Sequence, residues 1–139
     1  MAKAQSRRPV TLMVISPSAD KIHMALMTGA TAAAMGRPVT YFFSKGATVF
    51  LKIDGWNGLK ASDGASAPEM DEELNEKGIA DSALLLDGLA ALDVRFVVCE
   101  TGIREHGIDP TTLMKRPAVE ISGLADVLEK GEGGDWLTF

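Results

Sequence analysis

Four stretches of this chain are nearly continuous apolar runs: Val10 to Ile15, Pro38 to Phe43, Val94 to Val98 and Ala118 to Ile121. An antiparallel sheet with one wet face would alternate apolar and polar residues, whereas strands covered by helices on both sides read as continuous runs. The four runs therefore predict parallel strands, and Trp136 to Phe139, after the glycine-rich turn at 131 to 134, reads as a weaker fifth. Helical stretches lie between them. Asp20 to Met35 closes on Gly36 with Pro38 close behind, Ile79 to Leu92 leads into the third strand, and Glu100 to Gly107 follows it. Parallel strands joined by helices require right-handed crossovers. The expected architecture is a three-layer α/β/α domain with a five-stranded, mostly parallel, doubly wound sheet.

At 139 residues the chain forms one domain, 1–139, large enough to bury about two thirds of its unfolded surface with no staple. The start, 1–8, with Lys3, Arg7 and Arg8, reads as flexible, and 54–78 as one long loop rich in Gly, Ser and Asp. Such a loop is expected to be mobile and to lie over or beside the carboxyl edge of the sheet. Its Trp56 reads as a pin to the core, and its cluster Glu69, Asp71, Glu72, Glu73 and Glu76 as a solvated face or the first turn of a helix. The helix 20–35 carries two apolar stripes, one through Ile22, Ala25, Leu26, Gly29, Ala30 and Ala33, the other through Met24, Met27, Thr31 and Met35. The sheet can take only one, which leaves the methionine stripe to face a partner subunit.

Charge and composition exclude several classes. With 14 basic and 19 acidic residues the net charge is −5, and no cationic cluster forms a nucleic-acid footprint. No apolar run approaches the length of a membrane span, and no apolar stretch follows the basic start as a secretory signal requires, so a cytoplasmic protein is expected. One cysteine excludes an internal disulfide, and one Cys with His23 and His106 offers no metal-ligand spacing. No glycine-rich phosphate fingerprint is present, and no cofactor is implied.

That cysteine, Cys99, stands at the end of the third strand and the start of a helix, where unpaired N–H groups favour thiolate over thiol. It is the candidate nucleophile or sulfur carrier; the alternative is a small, inert, buried side chain. Cys99-Glu-Thr-Gly-Ile-Arg104 is one residue short of a cysteine-phosphatase loop, and Glu105 would repel phosphate. His106, seven residues on, lies about 10 Å along the helix, too far for a Cys/His dyad. Ser16, Ser44, Lys45 and Gly102 are the candidate binding residues around the thiol, as they fall in turns at the carboxyl edge, where open α/β sheets bind ligands. Lys45 and Arg104 would lower the thiol pKa, whereas Glu100 and Glu105 would raise it.

Asp20-Lys-Ile-His-Met-Ala-Leu through Ala34-Met-Gly-Arg-Pro-Val-Thr-Tyr-Phe-Phe-Ser-Lys-Gly46, Val97-Val-Cys-Glu-Thr-Gly102 with His106-Gly-Ile108, and the end Leu137-Thr-Phe139 together resemble the DsrE/DsrF/TusD-like family of small sulfur-relay proteins. The resemblance spans nearly the whole chain. It implies a flavodoxin-like sheet without flavin, a homo-oligomer (trimer or hexamer), and a persulfide carried on Cys99 between sulfur donor and acceptor proteins. Only the cysteine carries over as a functional residue. A non-catalytic oligomeric binding module with an inert Cys99, its 54–78 loop contacting the ligand, is the alternative from another class. A thiol peroxidase with an external resolving thiol is a third.

Overall fold

The computed structural model describes residues 7–139, so the expectation for 1–8 lies outside the described residues except at its last two positions. Five strands, β1 (Val10–Val14), β2 (Val39–Phe43), β3 (Arg95–Cys99), β4 (Val119–Ser122) and β5 (Asp135–Thr138), form one sheet in the order β4-β3-β2-β1-β5. Every pair is parallel. The helices are α1 (Ala19–Ala34), α2 (Ala67–Glu76), α3 (Ser82–Ala91), α4 (Glu100–His106) and α5 (Leu124–Lys130). Strands β1 to β4 step in one direction across the sheet, so right-handed crossovers put α1 to α4 on one face; the return to β5 puts α5 on the other. The buried side chains divide accordingly. Tyr41, Phe43 and Phe96 point to the face of α1 and α3, whereas Phe42, Val97 and Cys99 point to that of Val127 on α5.

α1 buries Ile22, Ala25, Leu26 and Gly29 and leaves Met24, Met27 and Met35 exposed, so the stripe that faces the sheet is the one with small residues. Gly29 is the reason it can approach closely. The Tyr41 hydroxyl occupies the space a Cβ there would need, and donates to the carbonyls of Ala25 at 2.7 Å and Leu26 at 3.1 Å.

The segment 54–78 departs from the expected single loop. It holds a 3-10 turn at Gly55–Gly58 and the helix α2, which starts on a capping box: Ser66 accepts from the Glu69 amide and the Glu69 carboxylate accepts from the Ser66 amide. The acidic cluster is therefore largely this helix. Leu59 and Ala67 are buried, and Trp56 packs on Phe50 while its indole donates to Asp71 at 2.8 Å, so Trp56 does pin the segment. At the other end of the segment, Asp20 accepts from both the amide and the hydroxyl of Ser62, and from Ser18. The Ser18 hydroxyl is the largest influence on that carboxyl; with Ser62 it outweighs burial and lowers the pKa from 3.8 to about 2. A depressed folded-state pKa contributes stability above the unfolded value and loses it as pH falls through the folded one. Asp20→Asn should thus flatten the acid-unfolding curve between those two values, and should speed hydrogen exchange at Ser62, as read by NMR at neutral pH.

Arg7 and Arg8 are tied to the fold: Arg7 donates to the Met35 carbonyl and Arg8 to Asp135, each at 2.9 Å. Among the described residues no helix is long and apolar enough to cross a membrane.

Candidate functional site

Cys99 ends β3 and caps α4, with Ser122 of β4 as its register partner and Ser44 one residue past the end of β2 on its other side. The strand ends because the chain turns directly into α4, and no side chain caps that helix. The thiol is therefore beside the first helical amides rather than behind a cap. Its Sγ is 2.8 Å from the Thr101 hydroxyl. Burial pushes the thiol up, but the Thr101 hydroxyl, the Gly102 amide, the Ser44 hydroxyl and the Thr101 amide together pull it below its ordinary value. Neutral donors thus set this shift. None of the four charged side chains weighed from the sequence is among its causes.

Gly102 fits this arrangement for a steric reason as well. A Cβ at 102 would come within 2.6 Å of the Thr48 hydroxyl, in the 3-10 helix Lys45–Leu51. Any side chain would push α4 away from that helix and carry the donating amide with it.

The sulfur faces a cavity of about 400 Å³ lined mainly by Met13, Ile15, Phe42 and Leu124, with Ser44, Lys45, Glu100 and Thr101 as its polar members. Of the candidate binding residues, Ser44, Lys45 and Gly102 gather around the thiol. Ser16 does not. Its hydroxyl accepts from the Ser18 amide at 3.1 Å, at the end of β1, two strands away from β3. Lys45 is on the cavity wall, but its ammonium is 3.8 Å from the Glu105 carboxylate and its side chain is 69% exposed. A cation already paired in water lends little to a neighbouring sulfur. Its backbone is what the site holds: Lys45 has φ +52, and His106 Nε2 donates to its carbonyl at 2.8 Å. His23 Nε2 likewise donates to the Ala80 carbonyl at 2.8 Å. Both histidines are therefore engaged with main-chain carbonyls, and no group of three or more His, Cys, Asp or Glu among the described residues is placed to hold a metal.

No residue of 54–78 lines the thiol cavity. The segment reaches the carboxyl edge at the β1 turn, through Ser18 and Lys60, and not at the thiol, while its apolar residues join the α1 side of the core. Thr101 is the functional candidate the sequence reading left out. The signal for it is its position, a hydroxyl two residues after a strand-end cysteine in the first turn of a helix, where side chain and amide point back to the same atom.

A parallel five-stranded sheet with one cysteine at its carboxyl edge and no flavin-type phosphate loop defines a class of small flavodoxin-like proteins. Residues 9–139 match the DsrE/DsrF-like family, and the chain belongs to it. Its members are generally connected with sulfur relay. Among solved structures, the chain resembles the YchN protein of E. coli, with a TM-score of 0.61 and 16% identity over 96% of this chain and 100% of that one. It also resembles MTH1491 of Methanobacterium thermoautotrophicum, described as a protein of unknown function, with a TM-score of 0.55 and 15% identity over the same shares. At such identities the likeness is one of fold. No curated protein matches the sequence.

Proposed function

We propose that this protein carries sulfur as a persulfide on Cys99 and passes it to a partner thiol. The observation that supports this most is a thiol whose pKa is lowered by four hydrogen-bond donors while it faces an apolar cavity. The Cys99 thiolate attacks the outer sulfur of a donor persulfide; a new S–S bond forms, the donor's S–S bond breaks, and the donor leaves as a thiolate. Cys99 then holds the outer sulfur. An acceptor thiolate attacks that sulfur in turn and releases Cys99, with no net oxidation in either step. The donors from Thr101, Gly102 and Ser44 serve the anion each time it forms, as fixed dipoles do in other anion-stabilising sites.

The chemistry needs no general base, which suits a site with no free histidine nearby. Incubation with a cysteine-dependent sulfurtransferase followed by intact mass measurement tests the reading, the expected result being a gain of one sulfur. Thr101→Val should move the alkylation rate profile to higher pH and slow alkylation at neutral pH by up to about tenfold, since a hydrogen bond to a charged group is worth about 1.5 kcal/mol. An unchanged profile would remove Thr101 from the site.

One observation favours the alternative of a non-catalytic oligomeric module: Cys99 is only 6% exposed and packs with Phe42, Val97 and Val127. Resistance of the folded protein to both sulfur and alkylating agents would decide for it.

We also propose assembly as a trimer or hexamer, on the strength of the family. Light scattering at micromolar concentration should then give a multiple of 14.8 kDa, and a clean monomer would overturn it.

A further inference from the structure

A groove lies apart from the thiol cavity, between the exposed stripe of α1 and the edge strand β5. It has a volume of about 570 Å³, and Met24, Met27, Met35, Trp136 and Leu137 supply its apolar walls. The sheet explains why it exists. The crossovers that carry α1 to α4 run from β1 towards β4, so the helices of this face lie away from the edge strand β5. α1 lies over β1 and β2, and α3 packs beside α1 on the side away from β5. Leu137 of β5 therefore points into a gap one helix wide. Within the groove, the hydroxyls of Thr28 and Thr31 donate back to the carbonyls of Met24 and Met27, so they present no unsatisfied donor to an occupant.

One end of this groove is basic in a chain whose net charge is −5: there Arg7, Arg8 and Arg37 gather around the single carboxylate of Asp135. At the other end, exposed Asp20 and Lys21 each lie one turn before Met24 and offset one another. These charges argue against a second copy of the same face. Antiparallel pairing of two such stripes would set the arginine end of each over an Asp20/Lys21 pair with no net charge, and parallel pairing would put the arginine ends together. The acidic helix α2 of another copy does not fit either, because its outward positions, Glu69, Glu72, Glu73 and Glu76, offer nothing apolar to fill the groove.

We infer that the α1/β5 groove receives an amphipathic helix of a partner protein, apolar along one face and acidic at the end that meets Arg7, Arg8 and Arg37. The surface would complete the helical layer, as a third helix beside α1. It also shares no lining residue with the Cys99 cavity and does not depend on the sulfur-carrier reading.

The test uses a synthetic helical peptide of about 16 residues, long enough to span Lys21 to Met35 at 1.5 Å per residue, with leucines at helical spacing and glutamates at one end. A twin peptide carries lysines in place of the glutamates. Fluorescence anisotropy with the full chain should show saturable binding of the acidic peptide, at least about tenfold tighter than that of the twin, and weakening as salt rises from roughly 50 to 300 mM. Amide shifts in NMR spectra should map to α1 and β5. Met24→Glu, at a residue 52% exposed and so tolerant of the change, should abolish binding, as should Arg8→Glu reduce it, whereas Cys99→Ser should leave it intact. Equal binding of the two peptides, no saturable binding, or shifts confined to the thiol cavity would overturn the inference. So would an oligomer that Met24→Glu disperses, which would give the groove to a second copy, or dodecanoate shifting these amides when the peptide does not, which would give it to a long-chain carboxylate.

Discussion

Cys99→Ser should abolish sulfur uptake completely while leaving the fold in place. Serine fits the space of the thiol and can keep the contact with Thr101, which lies 2.8 Å from the sulfur, so the strand end and the start of α4 need not move. What disappears is the nucleophile. A thiol whose pKa is lowered supplies more thiolate than an ordinary one, whereas a hydroxyl in the same place has no comparable anion and forms no bond to sulfur. Intact mass after exposure to a persulfide donor should show the added sulfur in the native chain and none in the variant, with unchanged circular dichroism and thermal unfolding. Sulfur found on the variant would mean that the mass gain was adventitious. An unmodified native chain would refute the carrier reading itself. Because Thr101→Val removes a donor and not the nucleophile, it should fall between the two, slower but still competent.

The strands were legible because continuous apolar runs have few readings in a chain of this length, and β1, β2 and β3 fall within a residue of the predicted limits. β4 and β5 are less buried edge strands, yet each still follows the turn signals that mark it. Two helices escaped for opposite reasons. α5 is seven residues long, too short for a 3.6-residue period to show, and it matters because it alone covers the sheet face that carries Cys99. α2 is hidden by its polarity, although Ser66 followed by Glu69, with Pro68 in the first turn, is a helix start that can be read without a structure.

At the site, sequence could place Cys99 at the end of a strand but could not choose between Ser16 and Ser44. Both follow apolar strands. Only the sheet order separates them, by putting β2 next to β3 and β1 one strand further off. Lys45 shows the same limit from the other side: residue type suggested charge, but the side chain goes to Glu105 while the main chain, at φ +52, shapes the wall. Thr101 donates through its hydroxyl and its amide together, which becomes visible only once the turn into α4 has been placed.

The largest effect on stability should come from a substitution that helix propensity recommends. Alanine favours a helix interior over glycine by about 1 kcal/mol, so Gly29→Ala in α1 and Gly88→Ala in α3 are equivalent on that ground. Their surroundings are not. A Cβ at Gly88 meets nothing within 4 Å, and the propensity gain should appear as about 1 kcal/mol of added stability. A Cβ at Gly29 would lie 1.9 Å from the Tyr41 hydroxyl oxygen, 2.4 Å from Cζ and 2.7 Å from Cε1. Tyr41 has no room to yield: its ring is fully buried, stacked with Phe43 at 5.8 Å and tilted against Phe96 at 4.9 Å between centroids. Its hydroxyl would also lose the carbonyls of Ala25 and Leu26, and burial leaves it no water as a substitute. Overpacking of this kind costs about 1–3 kcal/mol and a lost hydrogen bond adds about 1 kcal/mol, so after the propensity gain of about 1 kcal/mol the net effect should be a loss of up to about 3 kcal/mol. In a domain of this size that is roughly 10 °C of Tm. Thermal unfolding of the two variants beside the native chain should therefore move the midpoint in opposite directions. Equal shifts would show that α1 can back away from the sheet at Gly29 without penalty, and that the close approach of helix and tyrosine is not what holds this layer in place.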